Sequence, residues 1–226
     1  MTKNTIVIIP ARGGSKGIPG KNIKDFNGNP LISYSIEYAL STISSDNIFV
    51  STDCSNIKEI ALNLRVKVIN RPIAIAGDTA TTESAISHVL ESIDFTPENI
   101  ILLQATSPLR PLNSLLKILT HFKLNFFDSL LTISSTHRFF WEIDGKNAIP
   151  NYDFLNRPRR QDITKDDIKY VENGSVYIFT NNHFNKNSNR LGGNIGYYIF
   201  PEECALEIDS MSDWIVLEQI AKLNKY

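Results

Sequence analysis

Between Pro10 and Asn22 the chain reads PARGGSKGIPGKN, which places four glycines, one arginine and two lysines directly after an apolar run. Glycines let backbone N–H groups approach an anion without a side chain in the way, and they allow the positive φ values of an anion-binding nest. Arg12 can fork onto two phosphate oxygens, Lys21 supplies a compact charge and Ser15 a hydroxyl donor. At an effective dielectric near 20, opposite charges about 4 Å apart attract by roughly 4 kcal/mol before desolvation, so two such contacts dominate the binding of a polyphosphate. Two familiar phosphate motifs are excluded. Walker A requires glycine where Ser15 stands and a hydroxyl residue where Asn22 stands. The dinucleotide fingerprint has a glycine spacing that Gly13, Gly14, Gly17 and Gly20 do not reproduce. A glycine-rich surface loop without a ligand would leave the arginine and lysines unexplained.

Other chemistries find little support. His88, His121, His137 and His183 lie far apart without ligand spacing, and no Gly-x-Ser-x-Gly elbow is present. Cys54 and Cys204 have no paired spacing, so neither a disulfide framework nor a zinc site is expected. The 23 basic and 24 acidic residues nearly cancel, which gives no global field toward nucleic acid or an anionic membrane. The start MTKNTIVIIP is too short an apolar run for a signal peptide, and no apolar run reaches about 18 residues, so a cytoplasmic chain with no membrane span is expected.

The elements that must position the loop follow from periodicity. At 226 residues and 42% hydrophobic content, the chain suits one domain with one sizeable core. Thr5 to Ile9 reads as a strand covered on both faces. Helices are expected over 31–40, 55–64 and 82–93, and strands over 47–50, 66–69 and 99–103, so the first half alternates as a parallel α/β sheet. After about Ser129 the rhythm changes. Short β-like pieces at 130–134, 139–143 and 148–150 surround a turn at 144–146, and a polar, arginine-rich stretch covers 153–167. Strands at 175–180 and 196–200 and a helix at 212–222 close the chain.

The loop ARGGSKGIPGKN, Ser51-Thr52-Asp53, Arg71-Pro72, Asp78-Thr79-Ala80, Leu103 to Arg110 (LQATSPLR), Arg159-Arg160-Gln161-Asp162, Asn173-Gly174-Ser175 and Glu207-Ile208-Asp209 follow one another in order. In these landmarks, and over nearly its whole length, the chain resembles the acylneuraminate cytidylyltransferases, the CMP-sialic acid synthetases. The resemblance implies a three-layer, Rossmann-like α/β nucleotidyltransferase fold with a mostly parallel sheet. It also implies a homodimer in which a β-rich excursion, about residues 136–170 here, reaches the partner's sugar pocket. The implied reaction transfers CMP from CTP to the anomeric hydroxyl of a sialic-acid-like nonulosonic acid and releases pyrophosphate. Ala11, Arg12, Gly13, Gly14, Ser15, Lys21, Asn22, Arg71 and Thr82 match the nucleotide site, and Arg12, Lys21 and Asp209 are the expected catalytic groups.

Magnesium, or manganese, would neutralise charge at the α-phosphate, and such ions prefer one or two carboxylates. Glu207 and Asp209 are the candidates; on an extended segment residues two apart share a face. Many relatives carry aspartate at the position of Glu207 and proline at that of Ala105. Asp209 could instead cap the following helix. Gln104, Arg160, Gln161, Asn173 and Tyr177 match the sugar pocket, and arginine with amide side chains suits a carboxylated polyol. The alternatives are a solvated charge run for Arg160 and a turn for Asn173 with Gly174. The rival acceptors are legionaminic, pseudaminic, deaminated and eight-carbon ulosonic acids, and the more distant rival function is nucleotide binding without turnover.

Overall fold

A computed structural model describes residue 2 and residues 4–164 and 168–224, apart from the side chains of Arg160 and Asn224. In chain order the strands and helices are β1 (Thr5–Pro10), β2 (Asp25–Phe26), β3 (Asn29–Pro30), α1 (Leu31–Leu40), β4 (Ile48–Thr52), α2 (Ser55–Asn63), β5 (Lys67–Asn70), α3 (Thr82–Ser92) and β6 (Asn99–Leu103). They continue as α4 (Ser114–Leu124), β7 (Ser129–Thr136), β8 (Trp141–Asp144), β9 (Asn147–Pro150), β10 (Lys169–Thr180), α5 (Asn181–Asn187), β11 (Ile195–Phe200) and α6 (Met211–Asn224).

The main sheet has the order β11-β7-β10-β6-β1-β4-β5. Strands β6, β1, β4 and β5 are mutually parallel, as are β7 and β11, and β10 alone runs antiparallel to its neighbours β6 and β7. Alternate residues of the central strands go to opposite faces. Val7, Ile9, Ile48, Val50, Ile101 and Leu103 pack with α1, α2, α4 and α6, while Ile6, Ile8, Phe49, Ile100 and Leu102 pack with α3 and α5. Three layers result, and β1 reads as unbroken apolar sequence because both faces are covered.

Helix α4 is absent from the sequence expectation, although Leu115, Ile118, Leu119 and Phe122 form a buried stripe at helical spacing. Strand β10 begins at Lys169 instead of Ser175 because it has two partners of different length: its first residues pair with β7 alone, and β6 joins from Val176. The chain leaves the main sheet after Thr136 and returns at Lys169, and between them β8 and β9 form a separate two-stranded hairpin.

Helix α6 is fastened to the first half of the chain by Trp214. Its ring is 3% exposed, meets Phe26 edge-on at 5.5 Å and lies 5.6 Å from the Lys24 ammonium. Removing a fully buried indole loses both its transfer energy and its packing, so Trp214→Ala is expected to destabilise the fold by about 3–5 kcal/mol. The urea unfolding midpoint checks this, and a loss below about 1 kcal/mol would show that α6 is held by other contacts.

Candidate active site

Strand β1 passes its chain through α1 to β4 on one side, whereas β6 passes its chain through α4 to β7 on the other. Adjacent parallel strands whose connections diverge open a crevice beyond their carboxyl ends. A hollow of about 380 Å³ lies there, lined by Arg12, Ser15, Lys16, Lys21, Asn22, Arg71, Asp78, Thr82, Gln104, Thr106 and Asp209 among others. A larger hollow of about 820 Å³ lies elsewhere and carries Asp25, Glu37 and Glu218 around Tyr34. Arg110 and Lys222 also line it, so its charges nearly balance, whereas Arg12, Lys16, Lys21 and Arg71 outnumber Asp78 and Asp209 around the smaller hollow, which is therefore the candidate for a polyphosphate.

The loop after β1 is shaped by its own polar groups. Ala11 N–H donates to Ser51 C=O at 3.0 Å, Gly13 N–H donates to Asp53 Oδ1 at 2.9 Å, and Asn22 Nδ2 donates to Arg12 C=O at 3.0 Å. Of the expected nucleotide contacts, Ala11 and Gly13 have their amides bonded inside the protein, and neither they nor exposed Gly14 line the hollow. Gly17 has a steric reason: a Cβ there would stand 2.2 Å from Asp209 C=O, so only glycine lets the loop lie against the Asp209 segment.

The cations point into the hollow, each with an internal partner. Arg12 Nη1 and Lys16 Nζ hold Asp78 Oδ1 and Oδ2 at 2.9 and 2.8 Å. The hydrogen bond from Lys16, reinforced by Arg12, pulls the Asp78 carboxyl below its ordinary range. Lys21 Nζ donates to Ile208 C=O at 2.5 Å and lies 3.4 Å from Asp209 Oδ1. Arg71 is buried, donates to Ser51 C=O and Oγ at 2.6 and 3.1 Å, and is pushed down by burial first and then by the nearby Arg12 charge, against the opposing pull of Asp53. Helix α3 starts at the rim, where Thr81 Oγ1 accepts from Ser84 N–H at 3.1 Å, so its positive end adds to the same field. Lys16, Asp78 and Thr106 were given no site role from sequence, although Asp78 and Thr106 stand within its ordered landmarks. Asp78 meets Arg12 across 66 positions, a pairing no local pattern announces.

The acidic pair occupies a connecting segment between β11 and α6 and not a strand. Alternation still holds, because Leu206 is extended and Ile208 is wholly buried with its N–H on Thr106 C=O at 2.8 Å. Glu207 Oε2 accepts from Thr106 Oγ1 at 3.3 Å. Burial first, and the Asp209 charge second, push the Glu207 carboxyl upward. The capping role considered for Asp209 falls to Ser210: Ser210 N–H donates to Asp213 Oδ2 at 2.8 Å and Asp213 N–H to Ser210 Oγ at 3.3 Å, a reciprocal box. Asp209, with a side chain 78% exposed, keeps its carboxylate for the hollow. Asp209 lines the cation-lined hollow and Glu207 stands behind it against Thr106, and two repelling carboxylates so placed suit a hard divalent ion that also takes substrate oxygens.

Of the expected sugar contacts, Gln104 lines the hollow and Asn173, Tyr177 and Gln161 do not. Asn173 is wholly buried: its Oδ1 accepts from Thr132 Oγ1 and Ser175 N–H, and its Nδ2 donates to Ser134 Oγ. Tyr177 is 2% exposed within the α3-side core, its hydroxyl on Glu172 and Arg190 over its ring. Asn173 belongs to a bulge, where the register of β10 against β7 jumps between Glu172 and Tyr177 and Asn173 ties the extra residues to Thr132, and Tyr177 resumes the pairing after it. Gln161 is exposed beside the Arg159–Asp162 ion pair and does not line the hollow, and the side chain of Arg160 lies outside the described residues.

A cytidylyltransferase family model matches residues 6–226. The chain is 36% identical to N-acylneuraminate cytidylyltransferase B of Danio rerio over 96% of its own length and 51% of that protein's, so it spans about half the length of this relative. It is 32% identical to the pseudaminic acid cytidylyltransferase of Campylobacter jejuni, with 97% of each chain covered. Among solved structures, a CMP:2-keto-3-deoxy-manno-octonic acid synthetase complexed with CTP superposes with a TM-score of 0.68 at 15% identity, covering 97% of this chain and 99% of that one. A 4-diphosphocytidyl-2C-methyl-D-erythritol synthase from Anaerococcus prevotii gives 0.63 at 12%, covering 97% of this chain and 100% of that one. These two likenesses show the fold.

Because Asn173 satisfies three neighbours inside the bulge, Asn173→Ala strands buried donors and acceptors, each costing about 1–3 kcal/mol. A stability loss of about 2 kcal/mol or more in urea unfolding is expected, and unchanged stability would free Asn173 from this structural role.

Proposed function

Because this chain belongs to the cytidylyltransferase family, we propose that it transfers CMP from CTP to the anomeric hydroxyl of a sialic-acid-like nonulosonic acid and releases pyrophosphate. The observation that carries this reading is the convergence of Arg12, Ser15, Lys16 and Lys21 with Asp209 and Gln104 on one crevice at the ends of β1 and β6. The relatives named for N-acylneuraminate and for pseudaminic acid support an acidic nine-carbon acceptor.

In this reading Arg12, Ser15 and Lys21 hold the triphosphate and take up charge as pyrophosphate leaves. The acceptor hydroxyl attacks the α-phosphorus directly, so positioning and fixed charge do most of the catalysis. Glu207 and Asp209 would hold a magnesium or manganese ion, which when bound supplies further neutralisation of phosphate charge. Gln104, at the hollow, offers an amide to the sugar. The acceptor proton leaves through one of the two carboxylates, Glu207 or Asp209. Arg71 and Thr82 also line the hollow and would face the nucleotide.

Two further proposals accompany the reaction. A homodimer is supported by apolar surface left exposed among the described residues: Ile195, Tyr197 and Ile199 on edge strand β11 are 50%, 57% and 47% exposed, and Trp141 and Ile143 on the β8–β9 hairpin are exposed as well. The cytoplasm is the proposed place of action. Two free cysteines suit it, and no helix among the described residues is long and apolar enough to cross a membrane.

Pyrophosphate release with CTP across N-acylneuraminic, pseudaminic, legionaminic, deaminated and eight-carbon acids tests the acceptor. Release with none of them, alongside measurable CTP binding, would favour nucleotide binding without turnover. Lys21→Ala is expected to lower kcat/KM about a hundredfold to a thousandfold while the melting temperature changes by only a few degrees. Parallel loss of activity and stability would count against the catalytic assignment. Light scattering at micromolar concentration is expected to give twice the 25.5 kDa chain mass, and a monomer would remove the dimer.

A further inference from the structure

Arg110 lies at the end of the loop that follows β6 and is only 3% exposed. A guanidinium withdrawn from water is tolerated only where its fork meets acceptors in good geometry. Here Nη1 donates to Ser35 Oγ at 3.0 Å, and Nη2 donates to Gln104 C=O at 2.7 Å and to Ser175 C=O at 3.2 Å. The guanidinium carbon stands 5.2 Å from the Tyr38 ring centroid, an additional cation–π contact. One side chain therefore joins helix α1, the loop after β6 and the bulge of β10. Burial lowers its pKa to about 10, still well above neutrality, so the fork stays charged.

Of the two carbonyls it grips, one belongs to Gln104, which lines the crevice, and the other to Ser175, buried behind it. Gly174, which precedes Ser175, has φ +62°, and a Cβ there would lie 2.3 Å from Glu207 Oε1 and 2.8 Å from Gln104 Oε1. The Glu207 carboxylate and the Gln104 amide thus converge over the same glycine. A shift of the Gly174–Ser175 backbone, or of Gln104, would displace both. Arg110 itself lines the larger hollow on the other side and not the crevice, so it has no direct access to a bound substrate.

We propose that Arg110 is a positioning residue for the acceptor side of the site, clamping Gln104 C=O and Ser175 C=O so that the Gln104 amide and Glu207 carboxylate keep their places over Gly174. The proposal rests on the reading of the crevice as the site of CTP and an acidic sugar. The triphosphate contacts hang from β1, and Arg110 bonds to none of them, so its loss separates the two substrates. Charge-assisted bonds to two carbonyls are replaced by nothing in Arg110→Met, which keeps the bulk. Arg110→Lys keeps the charge but carries a compact ammonium that cannot span three segments as the fork does.

The test begins with pyrophosphate release by the unaltered chain, which establishes the underlying reading before any variant is measured. For Arg110→Met the acceptor KM is expected to rise about tenfold or more with a fall in kcat, while the CTP Kd by calorimetry changes less than about twofold. Arg110→Lys is expected to fall between the two, and it decides the matter if the methionine variant does not fold. An acceptor KM that is unchanged in a folded variant, or a CTP Kd that weakens in step with it, would overturn the positioning role.

Discussion

The crevice exists because two neighbouring parallel strands send their chains apart. With β1 and β6 paired from Thr5↔Asn99 to Ile8↔Leu102, their carboxyl ends finish side by side. One loop turns toward α1 and the other toward α4, so neither fills the space between them. Every polar group of the site borrows its place from that arrangement. Buried apolar strands offer no position for a cation or carboxylate, and charged side chains are confined to the loops at this end. The antiparallel strand β10 reaches the same mouth from the opposite direction. Val176 pairs with Leu103, so the bulge just before Val176 falls beside Gln104.

Charge balance at the mouth follows from the same geometry. Arg12, Lys16 and Lys21 would repel one another if left alone in a narrow space, and Asp78 and Asp209 relieve that repulsion. Such pairs are partly exposed and each is worth only about 0–1 kcal/mol. Weak, solvent-screened pairs of this kind hold the mouth together without locking it.

The regular parts of this arrangement were legible in the sequence because local patterns carry them. Strand β1 shows as an apolar run and α1 as a helix opened by Pro30, and the cationic glycine loop between them declares an anion by composition alone. Helix α4 was equally legible, with an apolar stripe and Asn113 at its N-cap position, although Asn113 there takes φ +57° and makes no side-chain cap. The roles expected of Asn173 and Tyr177 failed for a physical reason. Their types suit a sugar, yet which face a β residue presents depends on register, and the extra residues of β10 opposite Thr132 are set by the partner strand. Residue type indicates what a group can bind, and burial then decides whether it is free to do so.

Glu207 and Asp209 illustrate the same limit at the centre of the site. One residue apart on the chain, they look interchangeable as carboxylates, yet Ile208 between them is wholly buried and its backbone is held at both polar ends, N–H by Thr106 and C=O by Lys21. That double anchor sets the flanking side chains in unequal surroundings. Glu207 is drawn back against Thr106 and over Gly174, where burial and its acidic neighbour raise its pKa, whereas Asp209 stands in solvent beside Lys21. A cation arriving at the pair would recover most from Glu207, whose charge is the harder one to keep in its place. Asp209, already balanced by Lys21 and open to water, can exchange partners cheaply. The division of labour between the two carboxylates thus originates in the anchoring of the isoleucine that separates them.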